Sequence, residues 1–600
     1  MPAKRFNSCV SGARRVTLLA LAAAAIPCAL AQTGPIFRAT SETVLVPTTV
    51  LDKKGLPVAG LKLDDFELRV DGKPVKITAL NEVSGSTRAV NVKPLPPDTV
   101  TNVMPLEATR QSWVILLVDL LNTSLPDRME LRKQLLKFLT TDLQPGQPIA
   151  IYALGNSLTL VHPFTSDTQQ LIDAANRLMN EKGLPPDAGA GFVSATPASV
   201  AGVIASTAGA PATINPANLS TGNGTGRGGD IETFLLAAQW RMSVYTTHTR
   251  TEDTLAQFRQ LANAFAGVAG KKTVLWLTGD ASPLNPTLMN QVNFGDPSSV
   301  PLRVEWRQLA AAYEAISAAG ISLFPVDIRG VGNPGLQKPD ETPSHAEFLQ
   351  TAAQTQPGDS TVYSSATSQR QGEAANAIMA METAAVETGG RVLAGSNDLS
   401  GLLNRAQSLW SSYYVLAFAP APESQGKSPV YHRIEVKVPG RAVEVLYRRG
   451  YAARPESLIA SDDELKRDVG EASSSPVDLT AIPLSLKLAP QDKGAKGGGP
   501  GFMLSISASA LEHTDTPQGS RYDFSIFLLL KDPKGKVLSN LGDKIDRVFA
   551  PPEAAALARH GFFYPGQFDT PAGEKTFGRI IVRDNLSGRV GTITVQIGKD

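Results

Sequence analysis

Cysteine is all but missing from this chain: Cys9 and Cys28 are the only two, and both stand in an N-terminal stretch that reads as a removable leader. The remainder is therefore without disulfides or thiol chemistry, although exported chains enter compartments where disulfides form. Histidine is scarce too. His162, His248, His345, His432, His513 and His560 are scattered, with no H-E-x-x-H and no Cys/His grouping, so a zinc hydrolase has no visible ligand set. No G-x-S-x-G elbow stands at a strand end to supply a serine nucleophile. Basic runs are absent, with 57 Lys and Arg set against 56 Asp and Glu, which excludes nucleic acid because phosphate backbones need clustered positive charge. Beyond the leader no apolar run reaches membrane-spanning length; the best, Ser525 to Leu530, is strand-sized.

Lys4, Arg5, Arg14 and Arg15 precede the apolar run Val16 to Ala25 and the small-residue site Ala29-Leu30-Ala31. That order is a secretory signal, expected over residues 1–31 with cleavage before Gln32. Ile26 and Pro27 stand before Cys28 where lipidation wants small residues. Loss of those four cations takes the formal charge from +1 to −3. The expected product is an exported protein, periplasmic or extracellular, with no transmembrane segment after signal removal.

Six hundred residues exceed one core, and 51 Gly and 43 Pro imply long connections between several. A small β module is expected over 37–85, where Phe66, Leu68 and Val70 alternate ahead of the hairpin signal Asp71-Gly72. Proline-rich residues 92–112 then read as a linker. Trp113 to Asp119 is apolar on both faces, as a central parallel strand covered by helices must be. Helical periodicity follows from Asp127 to Leu139, then a strand at Ile149 to Leu154 and a helix over Asp167 to Met179. Further strands at Lys272 to Thr278 and Ile321 to Asp327 complete a doubly wound α/β domain over 110–420. It carries two expected insertions, 183–226 and 331–369, too poor in large side chains to bury a core of their own. Gly224, Gly226 and Gly229 formally match G-x-G-x-x-G, but no strand precedes them and the loop reading prevails. Residues 421–453 read as a β extension of the sheet's edge, 454–501 as mostly linker with a strand candidate at Ile482 to Leu488, and 502–600 as a β-sandwich domain.

The end of the first central strand is the most informative site. Asp119 is followed by Asn122, Thr123 and Ser124 before a helix, at the sheet edge where strand ends and helix N-termini converge. Asp280 follows the Lys272 to Thr278 strand, Asp327 ends the next, and the segment Thr246 to Thr251, read as a loop between helices at Ile231 to Met242 and Thr254 to Phe265, offers hydroxyls. Two readings stay open. A hard cation, Mg²⁺ or Mn²⁺, takes such oxygens. Equally, Ser124 with Asp127 resembles a helix cap, and Asp119 suits the adjacent turn without any metal.

The stretches VLVPTTVLDKKGLPVAGLKLDDFELRVDGKPVKI (44–77), WVILLVDLLNTS (113–124), KKTVLWLTGD (271–280), ISLFPVDIRG (321–330) and the strands of 411–453 resemble von Willebrand factor A (VWFA)-related domain proteins of the acidobacterial type. The resemblance implies a multidomain α/β plus β chain: a central Rossmann-like von Willebrand factor A domain, a small N-terminal β module and a C-terminal β-sandwich. It also implies a metal-ion-dependent adhesion site. Asp119 matches the family's first aspartate, Leu121 replaces the first serine and Thr123 the second, Thr251 or Thr254 stands for the middle threonine, and Gly279 holds the later acid's place with Asp280 one residue on. A leucine cannot ligate, so either Asn122 or Ser124 substitutes through a shifted turn or the site is degenerate. The expected function is binding or adhesion to a protein or cell-envelope partner, with no catalytic residues; the alternatives are a cation-dependent hydrolase and a structural envelope scaffold.

Overall fold

The computed structural model describes residues 43–84, 95–103, 112–144, 146–180, 229–268, 270–281, 284–285, 306–330, 361–420, 430–453, 462–489, 500–568 and 575–597. The expected leader, 1–31, and the insertion 183–226 lie outside these residues. Among the described residues no helix is long and apolar enough to cross a membrane.

The central sheet is built from β1 (Ser112–Asp119), β2 (Ile149–Leu154), β3 (Leu158–Thr165), β4 (Lys271–Thr278) and β5 (Ile321–Asp327). Its order is β5-β4-β1-β2-β3, parallel except for β3. A parallel bridge between Val326 and Leu393 occupies the next position beyond β5. Leu116 of β1 thus lies between Ile151 of β2 and Leu275 of β4. Around the sheet run helices α1 (Leu125–Lys137), α2 (Thr168–Asn180), α3 (Gly229–Phe265), α4 (Trp306–Ala318), α5 (Thr361–Thr388) and α6 (Leu399–Ser411).

Strand alternation assigns each side chain to a layer. Ile115 and Leu117 of β1 pack with α3, α4 and α5 on one face, while Val114, Leu116 and Val118 pack with α1, α2 and α6 on the other. Burying each such side chain contributes about 1.5–3 kcal/mol, more than the whole span of intrinsic strand propensity, about 1 kcal/mol. Double-sided burial therefore fixes β1 at the centre. Two features of the α/β domain depart from the sequence reading. The segment Thr246 to Thr251, expected as a loop, lies inside the continuous helix α3. Of the insertion 331–369, residues 361–369 form the first turns of α5 and 331–360 lie outside the described residues.

The expected boundaries at 37–85 and 421–453 divide what the chain joins. Val44–Leu51 pairs with Ser412–Phe418 and with Glu444–Tyr447, and Ala79–Ser84 completes that sheet. A second sheet holds Gly450–Ala453, Val430–Lys437, Glu67–Val70 and Lys73–Pro74. The two enclose one core that includes Val46, Phe66, Tyr414, Phe418, Ile434 and Tyr451. The α/β domain is therefore inserted into a β-sandwich whose halves come from either side of it in sequence. The strand Ser412–Phe418 belongs to that sandwich and not to the edge of the central sheet, because a hairpin alone is marginal and each half needs the other's apolar face. The Asp71-Gly72 turn forms as expected, with φ of +51° and +77°.

The 454–501 stretch, expected mostly as linker, holds the helix Asp462–Ser474 and the strand Leu484–Leu488 in its described part. The helix has few apolar side chains, but Ala472 is buried beside Leu529 and Ile581, and Asp468 accepts from both Nε and a terminal nitrogen of the buried Arg583. Thr99–Thr101, inside the expected linker, pairs with Leu484–Leu488. The C-terminal sandwich thus begins well before residue 502. Its sheets are Phe562–Gln567, Gly501–Ile506, Leu484–Leu488 and Thr99–Thr101, facing Thr514–Thr516, Gly519–Lys531, Thr576–Asp584 and Val590–Ile597, with Val537–Phe549 added beside Gly519–Lys531.

Both sandwiches touch the central domain at the strands' N-terminal ends. The Lys271 Nζ donates to Thr49 Oγ1 at 2.7 Å, and its N–H donates to the Tyr413 hydroxyl. At the end of α3, Thr480 donates through its N–H to Asn263 O and through its hydroxyl to Ala264 O, capping carbonyls the helix leaves unpaired. Asp119 lies at the opposite edge.

Candidate functional site

In a sheet ordered β3-β2-β1-β4-β5 the winding reverses between β1 and β4, and the crevice beyond their C-terminal ends is where open α/β sheets take ligands. Asp119 ends β1 and Thr278 ends β4. The helix α3 has 37 residues, about 55 Å at 1.5 Å per residue, roughly twice the length of β4, so its N-terminal part runs past this edge.

Asp119 is wholly buried. Its Oδ1 accepts the Asn122 N–H at 2.8 Å, and its Oδ2 accepts Asn122 Nδ2 at 3.0 Å and the Trp276 indole Nε1 at 2.9 Å. Trp276 reaches it because odd positions of β1 and even positions of β4 share a face, where the indole also meets Phe258 edge-on at 5.1 Å. Burial raises the Asp119 pKa, against the opposing pull of hydrogen bonds from Asn122, Thr278 and Trp276. The carboxylate is a hub for protein N–H groups.

The hydroxyls are committed too. Thr254 Oγ1 donates to Arg250 O at 2.7 Å and accepts Asn122 Nδ2 at 3.0 Å. Thr251 Oγ1 donates to Thr247 O at 2.8 Å. Both are bonds back to the preceding helical turn, the usual fate of threonine inside a helix, which explains how THTRT is accommodated there. Thr123 Oγ1 accepts the Gly279 N–H at 3.0 Å, and a Cβ on Gly279 would lie 3.3 Å from Thr123 Cα, so an acid in that place would crowd the turn. Ser124 is the N-cap of α1: its Oγ accepts the Asp127 N–H and donates to Asp127 Oδ2 at 2.6 Å.

Guanidinium groups occupy the rim, and sequence reasoning missed all of them. Arg250 donates from Nε to Asn122 Oδ1 at 3.1 Å and places a terminal nitrogen 3.6 Å from Asp280 Oδ2. Arg329 grips Asp327 through Nε and a terminal nitrogen, each at 2.9 Å. Burial disfavours its charge, but the bond and attraction to Asp327, with Asp280 and Asp127 nearby, raise the Arg329 pKa. Arg128 donates to the carbonyls of Thr123 and Leu120, pinning the turn after β1. The available signal was the position of Arg250 beside Thr251; Trp276 was findable from strand parity once the β1–β4 register was known.

The structure therefore brings Asp119, Asn122 and Thr254 together in one network and joins Thr123 to Gly279. It directs Thr251 back into α3, Ser124 onto the α1 terminus, and Asp280 and Asp327 toward arginines. Mg²⁺ demands a near-octahedral shell of oxygens at about 2.1 Å. The Asp119 oxygens face three N–H donors, and a guanidinium stands between Asn122 and Asp280, so the donor set as arranged does not fit such an ion. Among the described residues no group of three or more His, Cys, Asp or Glu side chains is placed to hold a metal.

No protein-family model and no curated protein matches the chain. Among solved structures, an aerotolerance-related membrane protein from Bacteroides fragilis is similar at 9% identity over 50% of this chain and 98% of its own, with a TM-score of 0.21. A von Willebrand factor type A structure from Catenulispora acidiphila is similar at 12% identity over 64% and 74%, with a TM-score of 0.18. Scores this low carry no argument about fold or function.

Proposed function

We propose that the central domain is a von Willebrand factor A-like binding module, carried on an exported protein, that holds a protein or envelope partner at the C-terminal edge of its sheet without a resident cation and without catalysis. The observation that carries this reading is the network Asp119–Asn122–Arg250–Asp280, which spans the switch point and ends in side chains that are partly exposed. A buried carboxylate satisfied by N–H groups cannot act as a base without leaving them unpaired. The rim above it, with Arg250, Asp280, Arg329 and Asp127, presents both charge signs, as protein-binding rims do. Both sandwiches dock at the other edge, consistent with a role as carriers.

The near absence of cysteine supplies the test. A single cysteine at Met129, exposed in the first turns of α1, carries a photo-crosslinker into the native envelope, with Leu56→Cys in the N-terminal sandwich as control. We expect a discrete partner adduct from Met129→Cys alone, unaffected by a chelator. Equal labelling from both positions contradicts binding at this edge, and loss of the adduct on chelation contradicts the cation-free reading.

A further inference from the structure

We propose that the strand Val537–Phe549 pairs with the same strand of a second copy of this chain, antiparallel about Ile545, joining two C-terminal sandwiches into one continuous sheet. The strand runs for 13 residues and, among the described residues, pairs only with Gly519–Lys531. Its other edge faces outward. Asp523 O accepts the Asn585 N–H at 2.9 Å on the far side of its strand, so in the pair Asp523↔Asp546 the backbone groups point away from each other. The N–H and C=O of Asp546, and of alternate residues along the strand, therefore face the open edge. At Lys544 the N–H is taken by the neighbouring Asp543 side chain at 2.9 Å, a local bond that a partner strand's carbonyl can replace.

An open edge of this length invites indiscriminate pairing, and charged residues are the usual guard against it. Here the charges favour one register, the axis at Ile545 being the one along the strand that sets unlike charges opposite each other. Two copies related by a two-fold axis normal to the sheet must place one residue opposite itself, because directly opposed side chains share a face. An axis at Asp543 or Asp546 opposes two carboxylates, and an axis at Lys544 opposes two ammonium groups. An axis at Ile545 sets Lys544 against Asp546 and Asp543 against Arg547, each twice, and brings Leu541 opposite Phe549. Opposed unlike charges and apolar pairs stabilise adjacent strands, and like charges oppose them. Leu541 is 61% exposed in the single chain, a large apolar side chain that this pairing covers. The present partners of these charges, Arg521 for Asp546, Glu553 for Arg547 and Asp523 for Lys544, are held in solvent-facing or rim pairs that a second strand extends without breaking.

The test is sedimentation velocity of the full-length chain over a wide concentration series. Asp543→Arg opposes arginine to arginine, and Arg547→Asp opposes aspartate to aspartate, so each variant alone must be monomeric. Mixed in equal amounts, the two variants again set arginine against aspartate at both opposed positions, and the dimer returns. We expect a wild-type dimer that weakens with salt, two monomeric variants with unchanged circular dichroism, and a dimer from their mixture. A wild-type chain that stays monomeric, variants that remain dimeric, or a mixture that stays monomeric would each overturn the proposal.

Discussion

Replacing Lys271 by methionine flattens the pH dependence of stability between about pH 7 and the ordinary lysine value of 10.5. Lys271 begins β4 with its ammonium buried, donating to Thr49 Oγ1 and lying over the rings of Phe324 and Tyr413 at 5.8 and 5.3 Å. Lys272 is buried beside it and donates to Val268 O at 2.6 Å. Burial lowers both to about 7. The sign follows from proton counting. Between about 7 and 10.5 each of these lysines is protonated in the unfolded chain and neutral in the folded one, so their contribution to stability rises with pH across that window and is lost as pH falls through it. Each lysine contributes about 1.4 kcal/mol per pH unit at most. Urea denaturation at successive pH values between about 7.5 and 8.5 therefore gives a slope for Lys271→Met about half that of the wild type, with stability near pH 7 higher by about 2 kcal/mol, since a buried charge is exchanged for an apolar side chain. That window lies below the range in which the buried Tyr152, Tyr313 and Tyr413, raised above their ordinary 10.0, oppose the lysines. An unchanged slope would mean that Lys271 keeps an ordinary pKa.

Asp119→Ala lowers stability by about 2–3 kcal/mol at neutral pH, because the Trp276 indole N–H and both Asn122 donors lose their acceptor inside the protein. The pH signature of this group has the opposite direction to that of the lysines. With the Asp119 pKa raised above 3.8 by burial, the folded chain holds the extra proton, so its contribution to stability falls as pH rises from 3.8 through the folded value. The difference between wild type and Asp119→Ala is then largest at the acid end of that window. The sign of the substitution is diagnostic in itself. In a metal-stripped cluster of carboxylates, removal of one acid relieves repulsion and stabilises; in a carboxylate that satisfies N–H donors, removal destabilises. Thermal denaturation with and without chelator separates the two, and a stabilised Asp119→Ala would contradict the reading of Asp119 as a hydrogen-bond hub.

How much of this was legible beforehand follows from the range of each interaction. The double-sided apolar run Trp113 to Val118 can only be a covered strand, and the acid that ends it had to sit at the sheet's ligand edge, so β1 and Asp119 were readable from local pattern. Pairings that close over hundreds of residues were not. Val46 opposite Leu416 makes one sandwich from segments that look like separate modules, and nothing local to either announces the other. Thr251 looked available because threonine-rich sequence favours loops, yet hydroxyls that bond to the preceding turn allow the helix to continue through such a segment. Val537–Phe549 escaped notice because an edge strand exposed on both faces has no buried face to produce alternation. Arg250 was hidden most thoroughly, since its reach to Asn122 and Asp280 depends on how α3 crosses the ends of β1 and β4.

The central claim is that the switch-point edge is organised by its own N–H donors and by Arg250 in place of a bound cation. Calorimetric titration of Mg²⁺ and Mn²⁺ into the metal-stripped full-length chain, beside Asp119→Ala, tests it most directly. The account predicts no saturable heat from either ion and no shift of the thermal midpoint on adding them. Saturable binding by the wild type that disappears in a folded Asp119→Ala chain would contradict it and return Asp119, Thr123 and Ser124 to the role of cation ligands.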